Sequence, residues 1–262
     1  YSAWAPGLEG GESEAVIGRW LKKRGRRDDV ILMSKVGMLE RRKGLSAANI
    51  EAAIEDSLSR LGTDYLDVYF AHIDDQEVPL EETLGAFDRL IKAGKVRAIG
   101  ASNYSSDRLE QALAVSRDHG FARYELIQPL YNLHDRADFE SSLAKVASEH
   151  NLGVVSYFSL ASGFLTGKYA QLSDLEGNPR ADFLNGYFSD RGQRILDTLM
   201  AVSQEASAKP SQVALAWLLH QPELTAPIVS ATSLSQLDEI LASVKLSLPE
   251  EMLSRLDAAS RQ

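Results

Sequence analysis

The sequence predicts an α/β fold in which the strands of a parallel sheet alternate with helices. Short apolar runs alternate with longer segments of helical periodicity along the 262 residues, a pattern typical of a parallel sheet with helices on its faces. Each apolar run also ends on a polar residue. No low-complexity tract or flexible linker interrupts the alternation, so we predict a single domain over residues 1–262.

The first helix is predicted to begin at Glu12 or Ser13, since either side chain can cap a helix start. Apolar residues then recur at helical spacing, and the basic run from Arg24 to Arg27 suits the negative end of a helix dipole. The apolar run 29–35 follows as the first strand and ends on a lysine.

The same alternation continues to the end of the chain. Further helices are predicted at 47–61, 79–93, 106–118, 139–149, 192–208, 211–220, 233–243 and 249–260. Further strands are predicted at 65–72, 96–103, 125–128, 153–157 and 225–230. The segment from Ser159 to Asp190 is too long for an ordinary connection, which indicates a functional loop.

Six strands allow two architectures, an open sheet or a closed barrel. The stretch Ser34-Lys35-Val36-Gly37-Met38 after the first strand is not the Gly-x-Gly-x-x-Gly loop of a dinucleotide-binding open sheet. A closed eight-stranded barrel usually takes about 250 residues. In that case six of eight βα units lie in this sequence, and two strands, roughly 50 to 60 residues, are expected upstream of Tyr1. An open six-stranded sheet, complete as given, is the alternative.

Composition excludes several functional classes. Apolar residues make up 44% and charged residues 25%, as in ordinary globular proteins. The net charge of −9 argues against nucleic acid or an anionic membrane as the main partner, although a local basic pocket for phosphate remains compatible with it. The absence of cysteine excludes disulfides and thiolate metal sites, and it suits a cytoplasmic location. No apolar run approaches the length of a membrane span.

Polar side chains stand where the predicted strands end, namely Lys35, His72, Asn103, Gln128, Tyr157 and Ser230. In a parallel barrel the carboxyl ends of all strands meet at one face, which carries the active site. Any one of these residues alone is more typical of a loop residue or a satisfied structural group. Six of them, each at a strand end, predict a functional pocket.

The types of these residues suggest proton chemistry beside a bound ring. A lysine ammonium close to a tyrosine lowers the pKa of the phenol from its ordinary value of about 10. Tyr1 is the candidate tyrosine for this role. A histidine can orient and polarise a carbonyl oxygen. Asn and Gln amides can hold a planar amide, and a tyrosine ring can stack on it. A bound aromatic ring that carries an amide, next to residues that can protonate a carbonyl substrate, points to nicotinamide.

Several stretches resemble the aldo-keto reductase family, and the resemblance covers essentially the whole chain. They are Gly-Glu-Ser-Glu at 11–14 followed by Ile-Gly-Arg-Trp-Leu, Ser-Lys-Val-Gly at 34–37, Asp-Tyr-Leu-Asp-Val-Tyr-Phe-Ala-His at 64–72, Ile-Gly-Ala-Ser-Asn at 99–103, Gln-Pro-Leu-Tyr-Asn at 128–132, Gly-Phe-Leu-Thr-Gly-Lys-Tyr at 163–169 and Pro-Ile-Val-Ser-Ala-Thr-Ser-Leu-Ser-Gln at 227–236. The resemblance implies a (β/α)8 TIM barrel that reduces carbonyl compounds with NADPH or NADH.

The resemblance also implies roles for individual residues. Of a catalytic set of Asp, Tyr, Lys and His, this sequence matches Tyr1, Lys35 and His72, and the aspartate is expected a few residues upstream of Tyr1. The implied cofactor residues are Ser102, Asn103 and Gln128 at the nicotinamide carboxamide, Tyr157 on its ring, Phe158, Leu160, Ser162, Gly163 and Lys168 in the loop over the pyrophosphate, Ser230, Thr232 and Gln236 at the 2′-phosphate and adenine, and Glu239 near the adenine.

NADPH is the predicted cofactor, with NADH as the alternative. Many members of the family bind the 2′-phosphate with a basic residue in this region. Here the corresponding segment, residues 228–244, contains neither Lys nor Arg. Hydroxyls, backbone N–H groups at a helix start and Gln236 can take its place. Phe158 stands where a smaller residue is common, which would narrow the cofactor tunnel. Trp4 and the loop 159–190 are predicted to line the substrate pocket.

The favoured function is therefore reversible NADPH-dependent reduction of an aldehyde or ketone to an alcohol, with Tyr1 as proton donor and no metal. The expected partner is a small-molecule carbonyl substrate, not nucleic acid or a membrane. A cofactor-binding regulatory subunit with little turnover, like the one attached to potassium channels, is the alternative. A phosphate-binding isomerase barrel fits the strand-end residues less well.

Overall fold

A computed structural model describes residues 7–177 and 181–261, so Tyr1 and Trp4 lie outside the described residues. The chain is an α/β protein in which strands and helices alternate. Contacts within it separate two compact units, Tyr1–Ile127 and Gln128–Gln262. The single domain stays a prediction.

The first unit alternates helices with strands as the sequence pattern predicts. Its helices are α1 (Glu12–Arg24), α2 (Ala47–Leu61), α3 (Leu80–Lys92) and α4 (Ser106–His119). Its strands are β1 (Met33–Val36), β2 (Met38–Leu39), β3 (Arg42–Lys43), β4 (Leu66–Ala71), β5 (Val96–Ser102) and β6 (Tyr124–Gln128). Strands β1, β4, β5 and β6 are neighbours in that order. The pairs β1–β4 and β4–β5 are parallel, and β2 and β3 form an antiparallel hairpin.

Local sequence determines where α2 begins and ends. The Ser46 hydroxyl accepts a hydrogen bond from the Asn49 N–H at 3.4 Å and so caps the helix start. Gly62 ends the helix with a φ of 65°, a left-handed conformation that glycine adopts without steric cost. The predicted range 47–61 is therefore confirmed.

Strand β4 lies at the centre of the first unit's core. Tyr69 and Phe70 are both fully buried, and they point to opposite faces of the sheet because side chains alternate along a strand. The Tyr69 ring packs edge-on against Phe87 of α3, with 5.8 Å between ring centres. Phe70 is paired with Gly100 of β5, and a Cβ atom at Gly100 would lie 2.3 Å from Phe70 Cε1. Glycine at position 100 therefore makes the room that the Phe70 ring occupies.

The amino end of β4 is fixed by the carboxylate of Asp67. It accepts hydrogen bonds from the Leu32 N–H and Arg27 Nη2, both at 2.8 Å, and from Arg97 Nη1 at 3.0 Å. Burial raises the pKa of Asp67, but these donors outweigh it and hold the pKa below its usual value. Arg27, predicted only as a helix-ending charge, thus ties the segment after α1 to the sheet.

The second unit is mainly helical. Its helices are α5 (Ala144–Glu149), α6 (Ala181–Leu184), α7 (Asp190–Glu205), α8 (Pro210–Leu219), α9 (Leu234–Ala242) and α10 (Glu250–Ser260), and a π-helical turn over Phe139–Leu143 leads into α5. Strands β7 (Gly153–Ser156) and β8 (Ala226–Pro227) pair in parallel. The segment predicted as one long loop contains α6 and 3-10 turns at Ala161–Thr166, Leu172–Leu175 and Asn185–Tyr187.

A buried arginine joins α8 and α10 in the core of the second unit. Arg136 donates to Asp257 Oδ1 at 2.8 Å and to Ser260 Oγ at 2.6 Å, and its guanidinium lies 4.8 Å from the centre of the Trp217 ring. Trp217 Nε1 donates to the same Asp257 oxygen at 3.0 Å. The buried charge of Arg136 therefore has a carboxylate partner, as a buried ion requires.

All six predicted strands are present as β1, β4, β5, β6, β7 and β8. All six differ from the predicted ranges, four by a single residue at one or both ends and two by more, and Ser230 lies beyond the last strand rather than at its end. The first spans Met33–Val36, so Lys35 lies within it, and the last is only Ala226–Pro227, where Pro227 has no N–H for the ladder. The barrel of eight units stays a prediction. In the described part of the chain, no helix combines the length and apolar character that a membrane span requires.

The contact between Gly100 and Phe70 predicts an asymmetry between two glycine substitutions. We expect Gly100→Ala to destabilise the protein by about 1–3 kcal/mol, because the added methyl group collides with a fully buried ring. Gly85→Ala is the control, since a Cβ there meets Phe121 at an ordinary 3.5 Å within helix α3. That variant should be neutral or more stable by up to about 1 kcal/mol. Urea unfolding measures both, and equal effects would contradict the packing described.

Candidate active site

Lys35, His72 and Asn103 lie at the carboxyl ends of β1, β4 and β5, which are neighbours in the sheet. Lys35 is paired with Phe70, and its Nζ lies 5.9 Å from the centre of the Phe70 ring. The backbone N–H of His72 donates to the Val36 carbonyl at 2.9 Å. Asn103 Nδ2 donates to the His72 carbonyl at 2.8 Å. The structure thus brings these three residues together, and their roles stay predictions.

Burial gives Lys35 and His72 unusual acidities. It lowers the pKa of Lys35 to about 8, because the ammonium is poorly solvated. Burial and then the charge of Lys35 lower the pKa of His72 to about 4. At neutral pH the site therefore combines a lysine close to its titration point with a neutral imidazole. A neutral imidazole donates a hydrogen bond from one ring nitrogen and accepts one at the other.

The backbone and side chain of Asn103 are both held by their surroundings. Its φ is 58°, a left-handed conformation that asparagine tolerates better than most residues. Besides its bond to His72, Nδ2 donates to the Ser102 hydroxyl at 3.2 Å. Ser102 itself is buried. The carboxamide of Asn103 therefore has one fixed orientation, as a group that recognises another amide requires.

Gln128 is the last residue of β6, and Tyr157 directly follows β7. Gln128 is 5% exposed, and the Tyr157 N–H donates to the Pro129 carbonyl at 3.0 Å. Burial, followed by the charge of Asp135, raises the pKa of Tyr157, so its hydroxyl stays protonated at neutral pH. The half-buried ring suits stacking against a planar partner.

The backbone after Tyr157 forms a strained turn, residues 158–163, in which left-handed conformations cluster. Phe158, Ala161 and Ser162 have φ values of 52°, 48° and 56°, and Gly163 has 105°. Each non-glycine residue in this region costs roughly 1–2 kcal/mol. The Gly163 N–H donates to the Leu160 carbonyl at 2.8 Å, which closes the turn. Strain of this kind is concentrated at ligand-binding sites.

Two polar groups in and beside this turn fit an anion. The Ser162 hydroxyl is buried and has no hydrogen-bond partner within residues 7–177 and 181–261, which is unfavourable unless a ligand or water completes it. Lys168 Nζ lies 4.6 Å from the centre of the Tyr169 ring, and no carboxylate in the described residues forms an ion pair with it. A Cβ at Gly163 would lie 3.4 Å from Lys168 Cε, so glycine lets the lysine lie against the turn. These residues fit the pyrophosphate of a dinucleotide.

The start of α9 offers further groups for an anion. Ser233 caps the helix by accepting from the Gln236 N–H at 3.2 Å. Gln236 Oε1 accepts from the Thr232 N–H at 2.8 Å and from the Thr232 hydroxyl at 3.0 Å. Ser230, Thr232 and Gln236 are all exposed. A helix start with exposed hydroxyls attracts negative groups.

Lys209 is a cation near this helix that the sequence did not suggest. It precedes α8, and its Nζ donates to Glu239 Oε2 at 2.6 Å. The Ser211 hydroxyl also donates to Glu239. Burial raises the pKa of Glu239, but these two donors outweigh it and leave the pKa below its usual value. The segment 228–244 therefore has a lysine beside it that comes from elsewhere in the chain.

Phe158 projects an aromatic face from the strained turn. Its side chain is 39% exposed and lies edge-on to Tyr157, at 5.3 Å, and to Phe183 of α6, at 6.0 Å. Phe183 is also exposed. Sequence reasoning found Phe158 but missed Phe183, because nothing in the local pattern distinguishes it from an ordinary loop aromatic.

Comparison with known proteins shows one family. The sequence profile described as the Aldo/keto reductase family matches residues 5–261. Aldo-keto reductase str7 of Strobilurus tenacellus is 32% identical over 92% of this chain and 71% of its own length. Aldo-keto reductase yakc of Schizosaccharomyces pombe, whose name includes NADP(+), is 31% identical over 95% of this chain and 75% of its own. A putative voltage-gated potassium channel subunit beta of S. pombe is 32% identical, over 94% and 76%.

The low pKa of His72 predicts how folding stability depends on pH. An unfolded histidine titrates near its ordinary 6.5, and folded His72 near 4. The unfolded state binds more protons between these values, so stability is lost as pH falls from about 6.5 toward 4. We expect His72→Gln to remove about 1–3 kcal/mol of that loss.

Urea unfolding across this pH range measures the effect. His119→Gln is the matched control, because His119 is an exposed histidine in the same unit. The control should keep the wild-type pH dependence. If His72→Gln also keeps the wild-type pH dependence, burial of His72 is not the cause of the stability lost at low pH.

Proposed function

The chain belongs to the aldo/keto reductase family, and we propose that it catalyses the reversible reduction of an aldehyde or ketone to an alcohol with NADPH. The observation that carries the proposal is the pair of groups at the ends of β1 and β4. Lys35, with a pKa of about 8, stands beside His72, whose pKa of about 4 keeps it neutral. A positive charge can stabilise a phenolate beside it, and a neutral imidazole can donate a hydrogen bond to a carbonyl oxygen, so the pair suits general acid catalysis at that oxygen.

Tyr1 is the proposed proton donor, by its match to the family's tyrosine. In this proposal the ammonium group of Lys35 stabilises the negative charge that develops on the phenol as it gives up its proton. The phenol then gives its proton to the substrate oxygen during reduction and takes it back in the reverse direction. His72 donates a hydrogen bond to the same oxygen and orients the substrate. When bound, the cofactor supplies a hydride from nicotinamide C4 to the carbonyl carbon.

The proposed cofactor residues divide by the part of the dinucleotide they bind. Ser102, Asn103 and Gln128 bind the nicotinamide carboxamide, and Tyr157 stacks on its ring. Phe158, Leu160, Ser162, Gly163 and Lys168 cover the pyrophosphate, and Ser230, Thr232 and Gln236 at the start of α9 bind the 2′-phosphate and adenine, with Glu239 near the adenine. Lys209 forms an ion pair with Glu239 and so adds no net charge near α9, and NADPH is proposed over NADH on the hydroxyls and backbone N–H groups at the start of that helix.

The proposed substrate is a small apolar carbonyl compound. The exposed rings of Phe158 and Phe183 support this, because they offer an aromatic surface beside the turn. Trp4 lies outside the described residues, and its predicted place in the substrate pocket is kept as part of the proposal. The net charge of −9 speaks against nucleic acid or a membrane as partner, and the lack of cysteine supports a cytoplasmic location.

A cofactor-binding regulatory subunit is the second candidate. One relative of similar identity is named as a potassium channel subunit beta. Cofactor binding does not separate the two functions, because both use the same site, whereas turnover does. NADPH oxidation with a panel of aldehydes is therefore the discriminating assay, and rapid turnover excludes a purely regulatory role.

Substitution of the proposed proton donor tests the mechanism. We expect Tyr1→Phe to lower kcat at least about 100-fold, because it removes general acid catalysis, while the Kd for NADPH stays close to that of the wild type. The comparison needs NADPH oxidation with a generic aldehyde and a fluorescence titration of the cofactor. Tyr65→Phe, just before the amino end of β4, is the control and should keep the wild-type rate. A Tyr1→Phe variant as fast as the wild type would refute the assignment.

A further inference from the structure

We propose that Asp135 is a positioning residue whose carboxylate holds the strained turn 158–163 in its cofactor-binding shape through two side chains, Asn132 and Tyr187. The inference rests on the proposed function, since that function assigns the turn to the cofactor. It adds three residues that touch neither cofactor nor substrate in the proposed mechanism.

Asn132 fixes the beginning of the turn. It is fully buried, and its Nδ2 donates to the Phe158 carbonyl at 3.0 Å and to Asp135 Oδ2 at 2.9 Å. Its Oδ1 accepts from the N–H groups of His134 and Asp135, both at 2.8 Å. The amide thus uses both donors and both acceptor positions, which leaves it one orientation. One donor is thereby fixed on the carbonyl of Phe158, the first left-handed residue.

Tyr187 fixes the other end of the turn. Its hydroxyl donates to Asp135 Oδ2 at 2.5 Å. Its ring stacks on Phe164, the residue after Gly163, with 5.3 Å between ring centres and 17° between ring planes. Tyr187 is itself confined, because a Cβ at Gly192 of α7 would lie only 1.8 Å from the Tyr187 carbonyl oxygen.

Both contacts depend on the same atom. Asp135 Oδ2 receives the bonds from Asn132 and Tyr187, while Oδ1 lies 3.0 Å from His134 Nδ1. Burial raises the pKa of Asp135, but the bonds from His134, Tyr187 and Asn132 outweigh it and keep the pKa below its usual value. The group is therefore ionised at neutral pH, and hydrogen bonds to a carboxylate are stronger than neutral ones.

The residues proposed for the pyrophosphate lie between these two fixed points. Ser162 and Gly163 stand between Phe158 and Phe164, and their left-handed conformations are unfavourable for a free chain. A turn that is held in advance does not have to be ordered by the cofactor, so binding is tighter and release slower. Loss of either contact should loosen the turn before any ligand is present.

Tyr187→Phe tests the clamp, because it keeps the stacked ring and removes only the hydroxyl. Tyr131→Phe is the matched control. Tyr131 is also buried in the same unit, and its hydroxyl donates to a different carboxylate, Glu140 Oε1, at 2.8 Å. The first measurement is hydrogen–deuterium exchange of peptides that cover residues 158–167 in the cofactor-free protein. The second is the dissociation rate of NADPH by stopped-flow fluorescence.

We expect Tyr187→Phe to speed both exchange in the turn and NADPH release by about tenfold, the effect of losing one hydrogen bond to a charged group. Tyr131→Phe should leave the exchange rate of the turn and the NADPH dissociation rate at the wild-type level, even if its thermal midpoint falls as much as that of Tyr187→Phe. Asp135→Asn, which weakens both contacts, should exceed Tyr187→Phe in both measurements.

Three results would overturn the inference in different ways. Equal exchange of the turn in Tyr187→Phe and Tyr131→Phe refutes the clamp, because general destabilisation moves both alike. Faster exchange with an unchanged NADPH dissociation rate refutes its role in cofactor binding. A wild-type protein that does not bind NADPH refutes the proposed function and that role with it, while exchange in the cofactor-free protein still decides whether the clamp exists.

Discussion

The parallel register of β1, β4 and β5 is the constraint on which the candidate site depends. Lys35 pairs with Phe70, and Phe70 pairs with Gly100, so the three residues form one row across three neighbouring strands. The absence of a side chain at Gly100 makes room for the Phe70 ring, and Lys35 Nζ lies over that ring. A slip of one residue in either pairing would turn these side chains to the opposite face. The strand pairing that packs the core of the first unit therefore also determines the position of Lys35.

The same burial that stabilises the fold sets the acidity of the site. An ammonium and an imidazole at the end of a buried sheet lose solvation, and the pKa values of Lys35 and His72 both fall. Because burial disfavours their charged forms, burying these two groups opposes folding. The second unit shows a related compromise, because the left-handed backbone at Phe158, Ala161 and Ser162 persists only where surrounding contacts hold it.

Much of the fold could be predicted from the periodicity of apolar residues and from helix-ending glycines. The bounds of α2 were predicted to the residue from its apolar face and Gly62, and the structure adds the Ser46 cap at its start. The strand-end residues of β1, β4 and β5 could be found for a similar reason, since an apolar run that stops on a polar residue is visible locally. Long-range contacts could not be found in this way. Lys209 meets Glu239 across 30 positions, and Tyr187 meets Asp135 across 52. The strained turn was also invisible, because phenylalanine, alanine and serine carry no sign of a left-handed backbone.

We propose that this chain promotes hydride transfer from a nicotinamide to a carbonyl carbon and that its own residues supply the proton. The most direct measurement follows the transferred hydrogen, using NADPH with both hydrogens at nicotinamide C4 replaced by deuterium, an apolar aldehyde and mass spectrometry of the alcohol. The prediction is that the alcohol gains one deuterium, on the carbon that was the carbonyl, at a rate matching NADPH oxidation. An alcohol without deuterium from the labelled position, or bound NADPH that no carbonyl compound oxidises, would contradict the claim.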